Sequence, residues 1–270
     1  THLRKKIMDL VDSTEINGVV IDVKEVCGPD YNREYLKKLL DELHSKNIWS
    51  IARIVVFKDA SQIEVRPEWY LKRSSPKSVA DECFRKKHLR VHPIRSQMPQ
   101  ASAVPLSAER TSNGAGNSGG AKPFGNQLPV TSYQPFWQDR RGGYWLDPTH
   151  PGVREYILGF AKKMVDLGFD ELQFDYIRFP SDGDVEKAIY PVGDSKTPKY
   201  LVMKDFFEFL HKNLKAYKPD IILSADLFGY AAIRAGDVGI GQRLDDIGDN
   251  FDYLSFMVYP SHYYSGLRLP

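Results

Sequence analysis

Apolar residues recur along the first seventy positions with two alternating periods. Leu3, Ile7, Leu10 and Val11 fall at helical spacing, so the chain opens on a predicted helix. Gly18 to Lys24 (GVVIDVK) reads as a buried strand. Residues 33–46 place Leu36, Leu39, Leu40 and Leu43 on one helical stripe, with Asn32 as N-cap and Asn47 as stop. Ile48 to Phe57 is the next strand. The alternation returns near residue 135. Pro151–Leu167 is a predicted helix with Val153, Tyr156, Ile157, Phe160, Ala161 and Met164 inward. Residues 169–176 form a strand, and 181–196 an Asp/Gly-rich loop. A helix starts at Thr197-Pro198, with Val202, Phe206, Phe209, Leu210, Leu214 and Tyr217 inward. Strands near 220–226 and 252–258 follow, with a short helical segment near 240–248 between them. Helices and strands that alternate over short links predict a parallel sheet with crossover helices.

Within the stretch Gly168 to Pro180 (GFDELQFDYIRFP), Gly168 stops the preceding helix and Pro180 ends the strand. Leu172, Phe174 and Tyr176 share one face; Glu171, Gln173 and Asp175 share the other. All five strands repeat this design. One parity is apolar: Val19, Ile21 and Val23; Ile54 and Val56; Leu172 and Phe174; Ile221 and Leu223; Leu254, Phe256 and Val258. The other carries polar groups late in each strand: Asp22 and Lys24, Arg53, Gln173 and Asp175, Ser224 and Asp226, Ser255 and Tyr259. Buried unpaired charges cost several kcal/mol. These groups must therefore pair with one another, as Arg53 could with Asp22, or line a wet cavity. A flat doubly wound sheet has helices on both faces and does not accommodate them. A (β/α) TIM-like barrel does, because its inward residues converge at the C-terminal mouth. Five such strands are present where a closed barrel has eight, so the expected α/β fold is an incomplete barrel forming a single domain over 1–270.

Between the two ordered regions the pattern lapses. Residues 75–134 are rich in Ser, Pro, Gly, Asn and Arg without sustained period, and Thr111–Gly120 is linker-like. This length exceeds ordinary loops, which predicts a disordered insertion dispensable to the fold. Charge follows the same division. Residues 72–141 hold twelve Lys/Arg and four Asp/Glu, a net +8, and the remainder carries −6. Within 75–134 only Phe84, Phe124 and Tyr133 are aromatic, set singly with no repeated alternation with the cations, so nothing favours nucleic acid specifically as partner. Two cysteines, Cys27 and Cys83, do not make a disulfide framework. No apolar run approaches the ~20 residues of a membrane span. No apolar signal core follows the first residues, and there is no Asn-x-Ser/Thr sequon. Composition assigns neither a compartment nor an oligomeric state.

GFDELQFDYIRFPSDG, INGVVIDVKE, IARIVVFKD, WQDRRGGYWLDP and DYLSFMVYPSHY occur in order over 3–73 and 135–264. Together they resemble a family of glycoside hydrolases, a domain of unknown function with a TIM-barrel fold. The QFDYIRFP block is the most specific of them. The resemblance implies a carbohydrate substrate and a barrel. Members of that family run almost directly from the segment at Pro67-Glu68-Trp69 to the one at Trp137, so 75–134 is extra material. They also carry a strand before the first helix and more barrel after the last block, which predicts that this chain is a fragment.

Glycoside hydrolysis commonly uses two carboxyl groups. Asp175 and Asp226 end consecutive strands on the inward parity and are the expected catalytic pair. By similarity to barrel glycosidases, Asp175 is nucleophile or charge stabiliser and Asp226 the acid/base. Asp22, Lys24, Arg53, Gln173 and Arg178 are expected to hold those carboxylates or bind sugar hydroxyls. Trp145, Tyr176 and Tyr259 offer flat faces to sugar rings, and His262 falls in a mouth loop. No cofactor or metal is called for. Of the seven histidines only His262 closely follows a strand, which disfavours a metal-dependent hydrolase. Gly236 to Gly241 is glycine-rich but lacks the Lys and Ser/Thr of a phosphate site. The competing reading is a non-catalytic carbohydrate-binding or inactive barrel fragment.

Overall fold

Helix α1 (His2–Ser13) precedes strand β1 (Gly18–Glu25) in a computed structural model that describes residues 2–74, 135–193 and 196–259. The expected insertion at 75–134 and His262 lie outside the described residues. On α1 the inward residues are Met8 and Val11, which pack with Leu43 and Ile48; Ile7 and Leu10, which share the helical spacing, are exposed. Strand β2 (Gly28–Pro29) folds back on β1 as a short antiparallel edge. Helix α2 (Arg33–Ser45) begins where Asn32 accepts a hydrogen bond from the Tyr35 amide at 2.9 Å. It ends before Asn47, which takes a left-handed φ of 57°. Strand β3 (Trp49–Val55) follows.

The chain then leaves the sheet; strand β4 (Lys72–Arg73) lies outside it, and isolated bridges join Lys58 with Trp145 and Tyr70 with Leu146. Helix α3 (Pro151–Leu167) stops at Gly168, whose φ of 104° and amide bonds to Met164 and Val165 carbonyls make the left-handed cap read from the sequence. Strand β5 is Glu171–Asp175. The expected loop at 181–196 contains structure of its own: a 3-10 turn at Val185–Lys187 and strand β6 (Ala188–Ile189), which pairs antiparallel with β4. Helix α4 (Lys199–Tyr217), strand β7 (Ile222–Phe228), helix α5 (Leu244–Ile247) and strand β8 (Tyr253–Met257) complete the described chain. Tyr217 ends α4 exposed to solvent instead of inward.

The main sheet has the order β2-β1-β3-β5-β7-β8. From β1 to β8 the neighbours are parallel and in chain order, with a helix between successive strands. This is the winding of a (β/α) barrel. Among the described residues the sheet stays open, with β2 and β8 at its edges. Register aligns rows of like character. Ile54, Phe174, Ala225 and Leu254 form one row facing the helices. There they join Ile157, Ala161 and Met164 of α3 and Phe206, Phe207 and Leu210 of α4 in one core. Each Ile, Leu, Met or Phe side chain among them that is fully buried is worth roughly 1.5–3 kcal/mol. Asp22, Arg53, Gln173 and Ser224 form the opposite row, one per strand.

Strand β1 departs from strict alternation once. Asp22 pairs with Arg53, but Lys24 pairs with Ile54, so Val23 is an extra residue in a bulge. The bulge turns Lys24 to the helix side and returns Glu25 to the Asp22 side. Lys24 is wholly buried there, 2.7 Å from Asp59 and donating to the Val55 carbonyl at 2.6 Å. The sequence parity, counted without the bulge, had put Lys24 in the mouth.

Candidate active site at the strand ends

Arg53 is the centre of the polar face. Its Nη1 donates to Asp22 at 2.7 Å and Glu25 at 3.2 Å, its Nη2 to Asp175 at 2.5 Å, and its Nε stands 4.0 Å from Asp226. One planar guanidinium thus joins carboxylates from β1, β5 and β7. Burial works against its charge, but Asp175 and Asp22 outweigh that and hold the guanidinium protonated. The pairing of Arg53 with Asp22 and its hold on Asp175 were foreseen; its extension to Glu25 was not, because Glu25 reaches this face only through the bulge.

Asp175 ends β5 and is buried. Its Oδ1 accepts from the Tyr176 amide at 2.6 Å. That short bond goes with a left-handed turn at Tyr176, whose φ of 50° takes the chain out of the strand. Tyr176 therefore does not share the Leu172 and Phe174 face, and the strand ends at Asp175, five residues before Pro180. Asp226 lies on the neighbouring strand. Gln173 Nε2 donates to its Oδ1 at 3.0 Å and lies 3.5 Å from Ser255 Oγ. Burial, then the nearby Asp175 charge, push the Asp226 carboxyl up to about 7; Arg53 pulls against them and Glu171 adds to the rise. Glu171 itself is tied to Ser224 Oγ and to Trp49 Nε1. The polar face thus pairs a salt-bridged carboxylate with a neighbour half-protonated near neutral pH. Such a pair can supply a fixed negative charge and a transferable proton.

Gln242 closes this arrangement from behind. It is fully buried; its Oε1 accepts from the Phe228 amide at 2.8 Å, and its Nε2 reaches the Ile177 and Asp226 carbonyls at 3.4 and 3.3 Å. It locks the exits of β5 and β7 together. A lone glutamine after a glycine-rich stretch carries no signal in the sequence, so this contact was not legible there.

Several expected sugar contacts lie elsewhere. Trp145 is 1% exposed, and its Nε1 donates to Asp139 at 3.0 Å, so it belongs to the core and offers no platform. Asp139 also holds Lys58 at 3.0 Å and is lowered by Trp145 and Lys58 against its burial. Tyr176 is half-buried, edge-on to Trp145 with ring centres 5.9 Å apart. Arg178 is buried against Tyr176, Trp145 and Phe228. Tyr259 is exposed just beyond β8. Among the described residues no group of three or more His, Cys, Asp or Glu side chains is placed to hold a metal ion. No helix among them is long and apolar enough to cross a membrane.

A family model described as "Putative glycosyl hydrolase domain" matches residues 1–88 and 126–269. The chain belongs to that family. No curated protein matches it. Among solved structures, a hypothetical protein from Ruminiclostridium thermocellum superposes with a TM-score of 0.54 at 24% identity, over 84% of this chain and 92% of that one. That likeness is one of fold, and it agrees with the sequential parallel winding described above. A GH31 alpha-xylosidase from a soil metagenome gives 0.49 at 14% identity over 94% of this chain. An alpha-galactosidase from Thermus thermophilus gives 0.44 at 11% over 83%. This member of the glycosyl hydrolase domain family spans only 34% and 36% of those two chains.

Proposed function

We propose that this domain hydrolyses a glycosidic bond, with Asp226 as proton donor and Asp175 as the carboxylate that stabilises or attacks the developing oxocarbenium carbon. One observation carries the reading: Asp226, raised to about 7, stands beside Asp175 on adjacent strand ends, and both approach one guanidinium. The asymmetry assigns the roles. Asp175 makes the short ion pair with Arg53, and its remaining oxygen takes a backbone amide. It therefore carries the negative charge. Asp226 has one oxygen on Gln173 and the other 4.0 Å from Arg53 Nε. The proton belongs on that second oxygen, which is free to donate to a leaving glycosidic oxygen. A carboxyl group that keeps its proton near neutral pH, beside a second one ion-paired to an arginine, is what acid-assisted glycoside cleavage requires. The family description supports hydrolysis of a glycosidic bond as the reaction.

The test is turnover on a panel of neutral and acidic oligosaccharides. Asp175→Asn and Asp226→Asn should each lower kcat by ~10²-fold or more, with folding retained. Wild-type activity should fall as pH rises through about 7, where Asp226 loses its proton. Near-wild-type turnover in both variants would overturn the assignment. Binding of a glycan that is never cleaved would support a carbohydrate-binding role instead.

A further inference from the structure

Arg53 is pulled from two sides. Its Nη1 is held by β1, 2.7 Å from Asp22 and 3.2 Å from Glu25. Its other nitrogens turn to β5 and β7: Nη2 meets Asp175 at 2.5 Å, and Nε stops 4.0 Å from Asp226 Oδ2. A charge-assisted N–H···O bond closes at about 2.7–2.9 Å, so the guanidinium stands roughly 1 Å short of Asp226. Nothing else among the described residues bonds to that oxygen, since Gln173 is on Oδ1. Asp226 is faced by Arg53 from β3 and by Asp175 and Glu171 from β5. Ser255 of β8 lies opposite it, and Gln242 touches its carbonyl; both are uncharged. Of these groups only Arg53 is a cation, and its approach decides whether Asp226 keeps a proton.

The hold from β1 is anchored in the backbone. The bulge at Val23 brings Glu25 to this face. Lys24, on the other face, is tied to Asp59 at 2.7 Å with both side chains wholly buried. Glu25 itself pairs with Gly28 of β2, and the Ala60 amide donates to the Val26 carbonyl at 2.9 Å. The chain is thereby pinned on both sides of Glu25. The Asp22 and Glu25 side chains stay about half exposed, at 53% and 45%. One ion pair so exposed contributes little, but two carboxylates on one nitrogen restrain it together. Without them the guanidinium keeps only Asp175 and is free to close the last ångström to Asp226.

We propose that Asp22 and Glu25 are positioning residues: they hold Arg53 back from Asp226 and so leave Asp226 Oδ2 free for the proton that the reaction uses. This rests on the hydrolase reading for the use of that proton, but the hold is measured without substrate. The whole protein, carbon-13-labelled at aspartate, is titrated by NMR, and the Asp226 carboxyl signal is the one lost in Asp226→Asn. Its wild-type midpoint is expected at about 7. In the double variant Asp22→Asn/Glu25→Gln the midpoint should fall by about 1 unit or more, the effect of a cation closing on a carboxylate. Each single variant should give part of that shift. Glu25→Asp keeps the charge but shortens the reach, and it should shift the midpoint as Glu25→Gln does. With Arg53→Met added, the Asp22 and Glu25 substitutions should no longer move it. An unshifted midpoint in the double variant overturns the inference, as does a shift of the same size without Arg53. Should the Arg53→Met protein fail to fold, as judged by circular dichroism, Glu25→Asp decides: a wild-type midpoint there overturns it. On a cleaved glycan the double variant should lose kcat about fivefold at pH 7 and less toward pH 5, as the alkaline limb moves down. An equal loss at every pH marks a merely structural role and overturns the inference. A shifted midpoint with no glycan cleaved by the wild type supports the hold on Arg53 and overturns the hydrolase reading. Cleavage by the wild type with an unshifted midpoint does the reverse.

Discussion

At neutral pH Asp226 stands near the midpoint of its titration, and that has a consequence for stability as well as for chemistry. An unfolded aspartate titrates near ~3.9, whereas the folded one is raised to about 7. Between those values the folded chain holds a proton that the unfolded chain has released. This group's contribution is therefore fully present below ~4 and is lost as pH rises through about 7. Asp226→Asn removes the dependence. Its Tm should exceed that of the wild type at pH 8 and equal it at pH 4; a variant less stable at pH 8 would refute the burial and repulsion described for Asp226. The sequence made Asp175 and Asp226 visible because each sits on the polar parity at a strand end. It misplaced Lys24, because a bulge has no signature in side-chain alternation. It misplaced Trp145, because a flat ring looks the same whether it faces a sugar or donates to a buried Asp139.

Among the elements, the helices and central strands were legible where period, cap and stop agreed. Asn32, Asn47 and Gly168 all act as read. Gly168 allows a clean measurement, since a Cβ there would meet no atom within 4 Å. The cost of Gly168→Ala is then conformational, from its φ of 104°. Urea unfolding should show a loss of ~1–2 kcal/mol, with Gly168→Asn losing less. The pairing of β4 with β6 was not legible, because two-residue strands show no alternation. Strand β5 also ended earlier than read, since the left-handed turn at Tyr176 overrides its β-favouring side chain.

For the whole molecule, the sequential parallel order followed from the alternation of periods, and the long interruption did not disturb it. The reason is local. The Arg73 amide donates to the Pro135 carbonyl at 2.7 Å, and Lys72 bridges to Phe136. Positions on either side of 75–134 are thus hydrogen-bonded neighbours. The two cysteines of the sequence are Cys27 and Cys83, and a deletion that leaves both in place isolates the effect of the segment beyond them. Replacing 86–133 by a short Gly/Ser linker should change Tm by no more than about 3 °C, as expected from a shift below ~1 kcal/mol. A larger fall in calorimetry would make that segment part of the fold. The bulge at Val23 reaches further than the strand that contains it. By sending Lys24 out and Glu25 in, one extra residue takes a positive charge from the β1 side of the mouth and gives it a negative one. Arg53, the cation left on that side, is consequently shared among Asp22, Glu25 and Asp175, so the β1–β3 side of the polar face is acidic on balance.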